Sequence, residues 1–235
     1  MPTSGDLMRH DILSRPAAAV AQLTFDAGES LTCEVGGMIA MSPGFVVETT
    51  TRKKNSSGGG LLKGLKRMLA GESLFLNHFT ATEPDQTLIV GPRLLGDVVH
   101  RRLQGGTMIV QGSSWLGSST DIEIDATWQG FGKALFSGEG LFWLKCSGSG
   151  DLFLSSFGAI YEVEVDGEYI VDTGHIVAFD DTLTFTIRKA GASWIGSFLG
   201  GEGLVCHFSG KGRLLCQSHN PPSFGALLGP KLKPR

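Results

Sequence analysis

An all-β fold made of three repeated units is what this sequence predicts, and three observations predict it. A Gly-Glu phrase recurs at Gly71-Glu72-Ser73-Leu74-Phe75, Gly138-Glu139-Gly140-Leu141-Phe142 and Gly201-Glu202-Gly203-Leu204-Val205, at spacings of 67 and 63 residues. Several stretches alternate polar and apolar side chains. Glycine supplies 34 of the 235 residues, about twice its usual share of about 7%, and it falls between short apolar runs without a collagen-like period. A repeat of this length sets the architecture before any other signal.

The alternation is cleanest at Asp121-Ile122-Glu123-Ile124-Asp125-Ala126-Thr127-Trp128 and at Thr182-Leu183-Thr184-Phe185-Thr186-Ile187-Arg188. In Tyr161-Glu162-Val163-Glu164-Val165 the acids take one face and the apolar residues the other. A period of two marks half-buried strands of antiparallel sheets. Ser147-Gly148-Ser149-Gly150 and Ser209-Gly210-Lys211-Gly212 read as hairpin turns between strand-like runs, with Ala81 to Gln86 in the same place in the first unit. One extra residue in the second unit's leading strand predicts a bulge. Gly37-Met38-Ile39-Ala40-Met41, Ser113-Ser114-Trp115-Leu116-Gly117 and Gly174-His175-Ile176-Val177-Ala178 correspond further upstream. Ahead of each Gly-Glu phrase runs an apolar, glycine-broken stretch, and only Leu61 to Ala70 has the spacing of a helix.

Three such units stack most simply around a pseudo-threefold axis, closing one another's edges into a barrel or prism. The expected organisation is a single domain over residues 1–221, with repeats at approximately 12–92, 93–165 and 166–221. A Pro-rich, basic and partly disordered tail is expected at 222–235.

Composition narrows function. The formal net charge of −3 argues against a chain-wide polyanion binder. Cys33, Cys146, Cys206 and Cys216 show neither CxxC nor zinc-finger spacing, so they read as reduced, buried thiols. No secretory leader and no apolar run of about 20 residues is visible. The expectation is a cytoplasmic protein, at most peripheral to a membrane.

Six phrases in order resemble one family. Ile12-Leu13-Ser14-Arg15-Pro16 opens the set, and Gly60-Leu61-Leu62 through Arg67 leads into the first Gly-Glu phrase. Phe136 to Phe142, Leu154-Ser155-Ser156-Phe157-Gly158-Ala159-Ile160, Val171-Asp172-Thr173-Gly174-His175 and Gly200 to Cys206 complete it. From about Ile12 to Pro221 the chain is similar to the altered-inheritance-of-mitochondria protein 24 family, which includes many bacterial and archaeal members. The resemblance implies a three-repeat β fold like that of the tryptophan RNA-binding attenuation protein, related to double-stranded β-helices. It implies no enzyme activity and no cofactor, and its mitochondrial members are linked to inner-membrane organisation. The Arg- and Ser-rich presequence of those members is absent at this N-terminus, which suggests a prokaryotic member.

Chemical motifs are weak beside this. Asp172-Thr173-Gly174 would need a second facing carboxylate for aspartic-protease chemistry, so it reads as a strand end and a turn. His78 and His207 fall in corresponding strands, but the second unit offers Leu144 or Lys145, which does not make a three-ligand metal site. Glu72, Glu139 and Glu202 recur in all three units and read as hydrogen-bond acceptors for turn amides. No G-x-S-x-G elbow, P-loop or Rossmann fingerprint is present.

The sharpest functional candidate is the surface built by the three apolar stretches. Leu61, Leu62, Leu65, Met68 and Leu69 lie opposite Lys63, Lys66 and Arg67, with Arg52, Lys53 and Lys54 adding charge upstream. Phe131, Leu135 and Phe136 in the second unit, and Trp194, Ile195, Phe198 and Leu199 in the third, hold the corresponding places. A basic-rimmed apolar surface fits a membrane, a protein partner or further copies of the chain; packing on the β-core is the plainer alternative. The functional expectation is a non-enzymatic scaffold or interaction protein that forms homo-oligomers or docks through these loops. RNA or other nucleic-acid binding is the first alternative, opposed by the acidic balance and the lack of interleaved aromatics. Cupin-like small-molecule binding is the second.

Overall fold

The computed structural model describes residues 8–51, 75–125, 142–189 and 204–232. Alternating runs become strands throughout, and fifteen are present among the described residues. In the first third these are β1 (Arg9–Leu13), β2 (Val20–Phe25), β3 (Ser30–Glu34), β4 (Met38–Met41), β5 (Val46–Thr51), β6 (Phe75–Thr80) and β7 (Gln86–Val90). The middle third holds β8 (Val98–Gln111), β9 (Trp115–Ser119), β10 (Ile122–Asp125) and β11 (Trp143–Ser155). The last holds β12 (Ile160–Asp172), β13 (Ile176–Asp180), β14 (Thr184–Lys189) and β15 (Leu204–Gln217).

The strands form two antiparallel sheets. The smaller runs β1-β2-β7-β4; the larger runs β12-β15-β13-β8-β11-β9-β3-β6-β5, with β10 on β11 and β14 on β15. Neither order returns on itself, so among the described residues no sheet closes into the expected barrel. β4 and β12 end their respective sheets.

A second expectation is corrected. Ser147 to Gly150 and Ser209 to Gly212 are not hairpin turns; β11 and β15 run straight through them as single long strands. Glycine at positive φ can close a turn, but it can also twist a strand that stays paired. Gly148 (φ 128°) lies opposite Gly106, and Gly210 (φ 126°) opposite Gly167, itself at φ 112°. A Cβ at Gly148 would stand 2.4 Å from the Asp121 carbonyl oxygen. The β8–β11 register shifts just beyond, between Gly148 and Ser149, but the extra residue is Gly105 of β8 and not one of β11, where the bulge is expected. Only the first third breaks at this place, at Ala81–Asp85, so β6 and β7 fall in different sheets.

Helix α1 (Pro221–Leu228) occupies the first half of the tail expected at 222–235. Asn220 caps it by accepting from the Ser223 N–H at 3.3 Å, and proline at the first helical turn removes an amide that would have no partner. Phe224 packs on Phe157 with ring centroids 5.2 Å apart.

Three apolar clusters follow the chain. The first gathers Leu23, Phe25, Leu31, Phe79 and Leu88 with Leu116 and Phe153 from the middle third. The central one holds Trp115, Ile124, Leu144 and Leu154 with Leu76 from one side and Val177 and Leu215 from the other. The last holds Phe179, Phe185, Phe208 and Leu214 with Ile109 and Trp143. The first and last share no residue, and the central cluster joins them.

Candidate interaction surface

All fifteen residues expected to form the interaction surface lie outside the described residues: Leu61, Leu62, Lys63, Leu65, Lys66, Arg67, Met68, Leu69, Phe131, Leu135, Phe136, Trp194, Ile195, Phe198 and Leu199. So do Glu72, Glu139, Glu202 and the helix expected over Leu61 to Ala70. What the structure does fix is the strand ends from which these connections leave. Each connection joins two antiparallel neighbours: β5 to β6, β10 to β11 and β14 to β15.

Those ends lie close to one another in turn. Leu76, just after the first connection, and Ile124, just before the second, line one depression of about 210 Å³ with Thr32, His78, Ile122 and Glu123. His78 is occupied there: its Nδ1 pairs with the Thr32 hydroxyl at 2.9 Å and its Nε2 with that of Thr50 at 2.8 Å. Trp143, just after the second connection, packs against Phe185 of β14 at 5.6 Å between ring centroids, and shares its cluster with Ile187 and Cys206. Ile187 and Cys206 lie opposite each other near the third connection.

The family-like phrases meet in one structural knot rather than a reactive site. Arg15 grips the fully buried Asp97 with two bonds, Nε to Oδ1 at 2.8 Å and an amine to Oδ2 at 2.9 Å. The Asp97 N–H donates to the Ser156 hydroxyl at 3.1 Å, and that hydroxyl donates to the Gly158 carbonyl at 2.6 Å. Gly96 is obligatory here, since a Cβ would fall 1.8 Å from the Ser156 carbonyl oxygen. Asp172 ends β12 and accepts from the Gly174 N–H at 2.8 Å and from Asn220 at 3.1 Å. The Asp-Thr-Gly triplet is thus a turn that also anchors α1.

A polar cluster that sequence reading missed surrounds Asp151, whose side chain is 2% exposed. Its Oδ1 meets His100 Nε2 at 2.7 Å, and its Oδ2 accepts from Arg102 at 2.7 Å and from the Met8 N–H at 3.0 Å. The His10 ring lies 4.2 Å from that of His100. Burial raises the Asp151 carboxyl, yet the bonds from His100 and Met8 and the charge of Arg102 together hold it below its ordinary value. Ser119 faces the Asp151 backbone, accepting its N–H at 2.9 Å. The cluster therefore ties the N-terminal strand to β11. These partners lie 143, 51 and 49 residues apart in sequence, so no local motif announces them.

None of the four cysteines is in a disulfide, and all four are buried. Burial pushes the Cys33 thiol up, that of Cys206 to about 12 and that of Cys216 to about 11, which keeps them protonated and unreactive. Among the described residues no three His, Cys, Asp or Glu side chains group to hold a metal, and no helix is long and apolar enough to cross a membrane.

Comparison with known proteins decides the family. A model described as mitochondrial biogenesis AIM24 matches residues 10–219. The chain belongs to the AIM24 family. It is 28% identical over 212 residues to an uncharacterized protein of Streptococcus pyogenes serotype M6, covering 89% of this chain and 85% of that protein. It is also similar to the crystal structure of another S. pyogenes protein, with 26% identity, a TM-score of 0.76, and coverage of 96% of this chain and all of that one. In this AIM24 chain three of the six phrases make structural contacts, through Arg15, Ser156 with Gly158, and Asp172, and the other three fall largely outside the described residues.

Proposed function

We propose that this AIM24 chain is a non-enzymatic interaction protein, cytoplasmic and at most peripheral to a membrane. Its three repeats serve as a frame for three connections that together make one docking surface. The observation that supports this most is the adjacency of the strand ends. Leu76 and Ile124 share one depression, and Trp143 shares a cluster with Ile187 and Cys206. Connections leaving neighbouring roots can act as one surface although they lie far apart in sequence. The first connection carries Arg52, Lys53, Lys54, Lys63, Lys66 and Arg67 among its leucines and the other two are mainly apolar, a combination that suits an anionic membrane surface. Nothing in the polar clusters at Asp97 and Asp151 competes as a site of chemistry, since each carboxylate is already taken by a cation and an amide.

The test is co-sedimentation with vesicles of anionic phospholipid. Wild type is expected to bind in a salt-dependent way, and Leu65→Glu with Phe198→Glu to abolish binding. Equal binding by the two proteins, or none by wild type, would sink the reading.

A further inference from the structure

Among the described residues β1, β4, β5 and β12 end the two sheets, and for β4 and β12 the same chain shows twice what covers an edge of that kind. β9 lies on β11 as Trp115↔Leu154, Gly117↔Phe153 and Ser118↔Leu152, skipping Leu116. β13 lies on β15 as Ile176↔Cys216, Ala178↔Leu215 and Phe179↔Leu214, skipping Val177. β4 lies on β7 as Met38↔Val90, Ala40↔Ile89 and Met41↔Leu88, skipping Ile39. The next side chain along repeats the same bond: Ser42, Ser119 and Asp180 accept from the N–H groups of Thr87, Asp151 and Arg213 at 3.0, 2.9 and 3.0 Å. By register, β4, β9 and β13 are counterparts.

Their far edges differ. β9 pairs there with β3, as Gly117↔Cys33, Ser118↔Thr32 and Ser119↔Leu31. β13 pairs with β8, as Ala178↔Val110, Phe179↔Ile109 and Asp180↔Met108. The far edge of β4 has no strand on it among the described residues. The missing strand can be named from the other side. Thr32 lies opposite His78, Ile109 opposite Lys145, and Ile170 of β12 opposite His207. Tyr169-Ile170-Val171 therefore stands where Leu31-Thr32-Cys33 and Met108-Ile109-Val110 stand, and its outer edge also has no strand on it among the described residues.

Both empty edges are apolar. Ile39 is 57% exposed where Leu116 and Val177 are at most 1%, and Ile170 is 56% exposed where Ile109 is 2%. Met38, Met41 and Tyr169 are likewise exposed at places that are buried in the counterparts. Natural sheets rarely leave such edges bare, because unpaired amides beside apolar side chains template further pairing. Among the described residues no pairing within one chain supplies the cover, since β4 pairs only with β7 and β12 only with β15.

We propose that β12 of one copy pairs antiparallel with β4 of the next, placing Val171 opposite Ala40, Ile170 opposite Met41 and Tyr169 opposite Ser42. The fit follows the two internal examples: the small residues Gly117, Ala178 and Ala40 each face Cys33, Val110 or Val171. The contact uses two different edges, so it is head-to-tail and builds a ring or a filament of AIM24 chains according to the rotation per copy. It does not depend on the docking surface above. Leu65→Glu with Phe198→Glu leaves both edges intact, so vesicle binding and assembly are lost separately.

The experiment mixes two singly substituted proteins, Met41→Cys and Ile170→Cys, under mild oxidation. Residues directly opposite in an antiparallel pair are about 4.5–5.5 Å apart between Cα atoms, within disulfide reach. A linked pair of chains is expected from the mixture and not from either protein alone. In parallel, Ile170→Lys is expected to reduce the light-scattering mass to that of one 25.0 kDa chain while leaving the far-ultraviolet circular dichroism unchanged. Wild type that stays a single chain at every concentration overturns the proposal. So does a mass untouched by Ile170→Lys, or a Met41→Cys/Ile170→Cys double variant that links only within itself.

Discussion

β13 and β4 start from the same register on their inner neighbours, yet Ile176 to Phe179 are buried to the last residue and Met38 to Met41 are exposed throughout. Residue type does not separate them, since both are apolar. What separates them is a neighbour: β13 has β8 on its far edge and β4 has none. In this AIM24 chain, burial of a strand is decided by the next strand in the sheet more than by its own hydrophobicity. Equivalent substitutions on the two strands should therefore have very unequal effects.

The largest contrast is expected between Phe179 and Met41. Phe179 sits in an aromatic group with Trp143, Phe185 and Phe208 at centroid distances of 5.1–5.4 Å. Phe179→Ala should cost about 3–5 kcal/mol, as a buried phenylalanine loses both transfer energy and packing. Met41→Ala should cost less than about 1 kcal/mol in the isolated chain. Urea denaturation of both variants measures the difference, and comparable losses would show that the two strands are not as unlike as their exposure indicates.

A middle effect is expected at Asp151, whose cluster fastens the N-terminal strand to the covered centre. Asp151→Asn removes a charge-assisted set of bonds and should cost about 1–3 kcal/mol at pH 7. The carboxyl is held below its ordinary value when folded, so its contribution is complete above about pH 4, the range in which an unfolded Asp is ionised. It declines as pH falls through the lower, folded value. Wild type should lose stability on acidification below that point more steeply than Asp151→Asn does. Parallel pH profiles would break the assignment.

The smallest effect is expected at Ile39. Ile39→Thr should change the unfolding free energy of a dilute chain by no more than about 0.5 kcal/mol, whereas Val177→Thr, at 0% exposure, should cost well over 1 kcal/mol by burying a hydroxyl. Thermal melts of the two would sharpen the comparison at its most conservative.

The strands themselves were legible from alternation, as at Ile122–Asp125 and Thr184–Lys189, because a period of two has no other common cause. The stretch at Ser147 to Gly150 misled, since a glycine at positive φ serves a turn and a twisted strand equally, and only its partner across the sheet tells them apart. Asn220-Pro221 carried a capping signal that the proline and lysine content beyond it obscured. Of the candidate surface, only the roots of the connections can be compared with expectation. The open edges at Ile39 and Ile170 were illegible for a simple reason: their counterparts Val177 and Ile109 are just as apolar, and exposure resides in pairing that no local pattern encodes.

The unbroken course of β11 and β15 past their glycines has a mechanical consequence. Each long strand carries two successive neighbours on one edge, β10 then β9 and β14 then β13, against a single partner on the other. Force or thermal opening applied at one end is transmitted along continuous backbone to the other, so each of these ribbons opens as a unit. The first third, cut at Ala81–Asp85, has a joint where they have none. Amide exchange in β6 and β7 can proceed independently, and the protein is hinged at its N-terminal end and stiff at its C-terminal one.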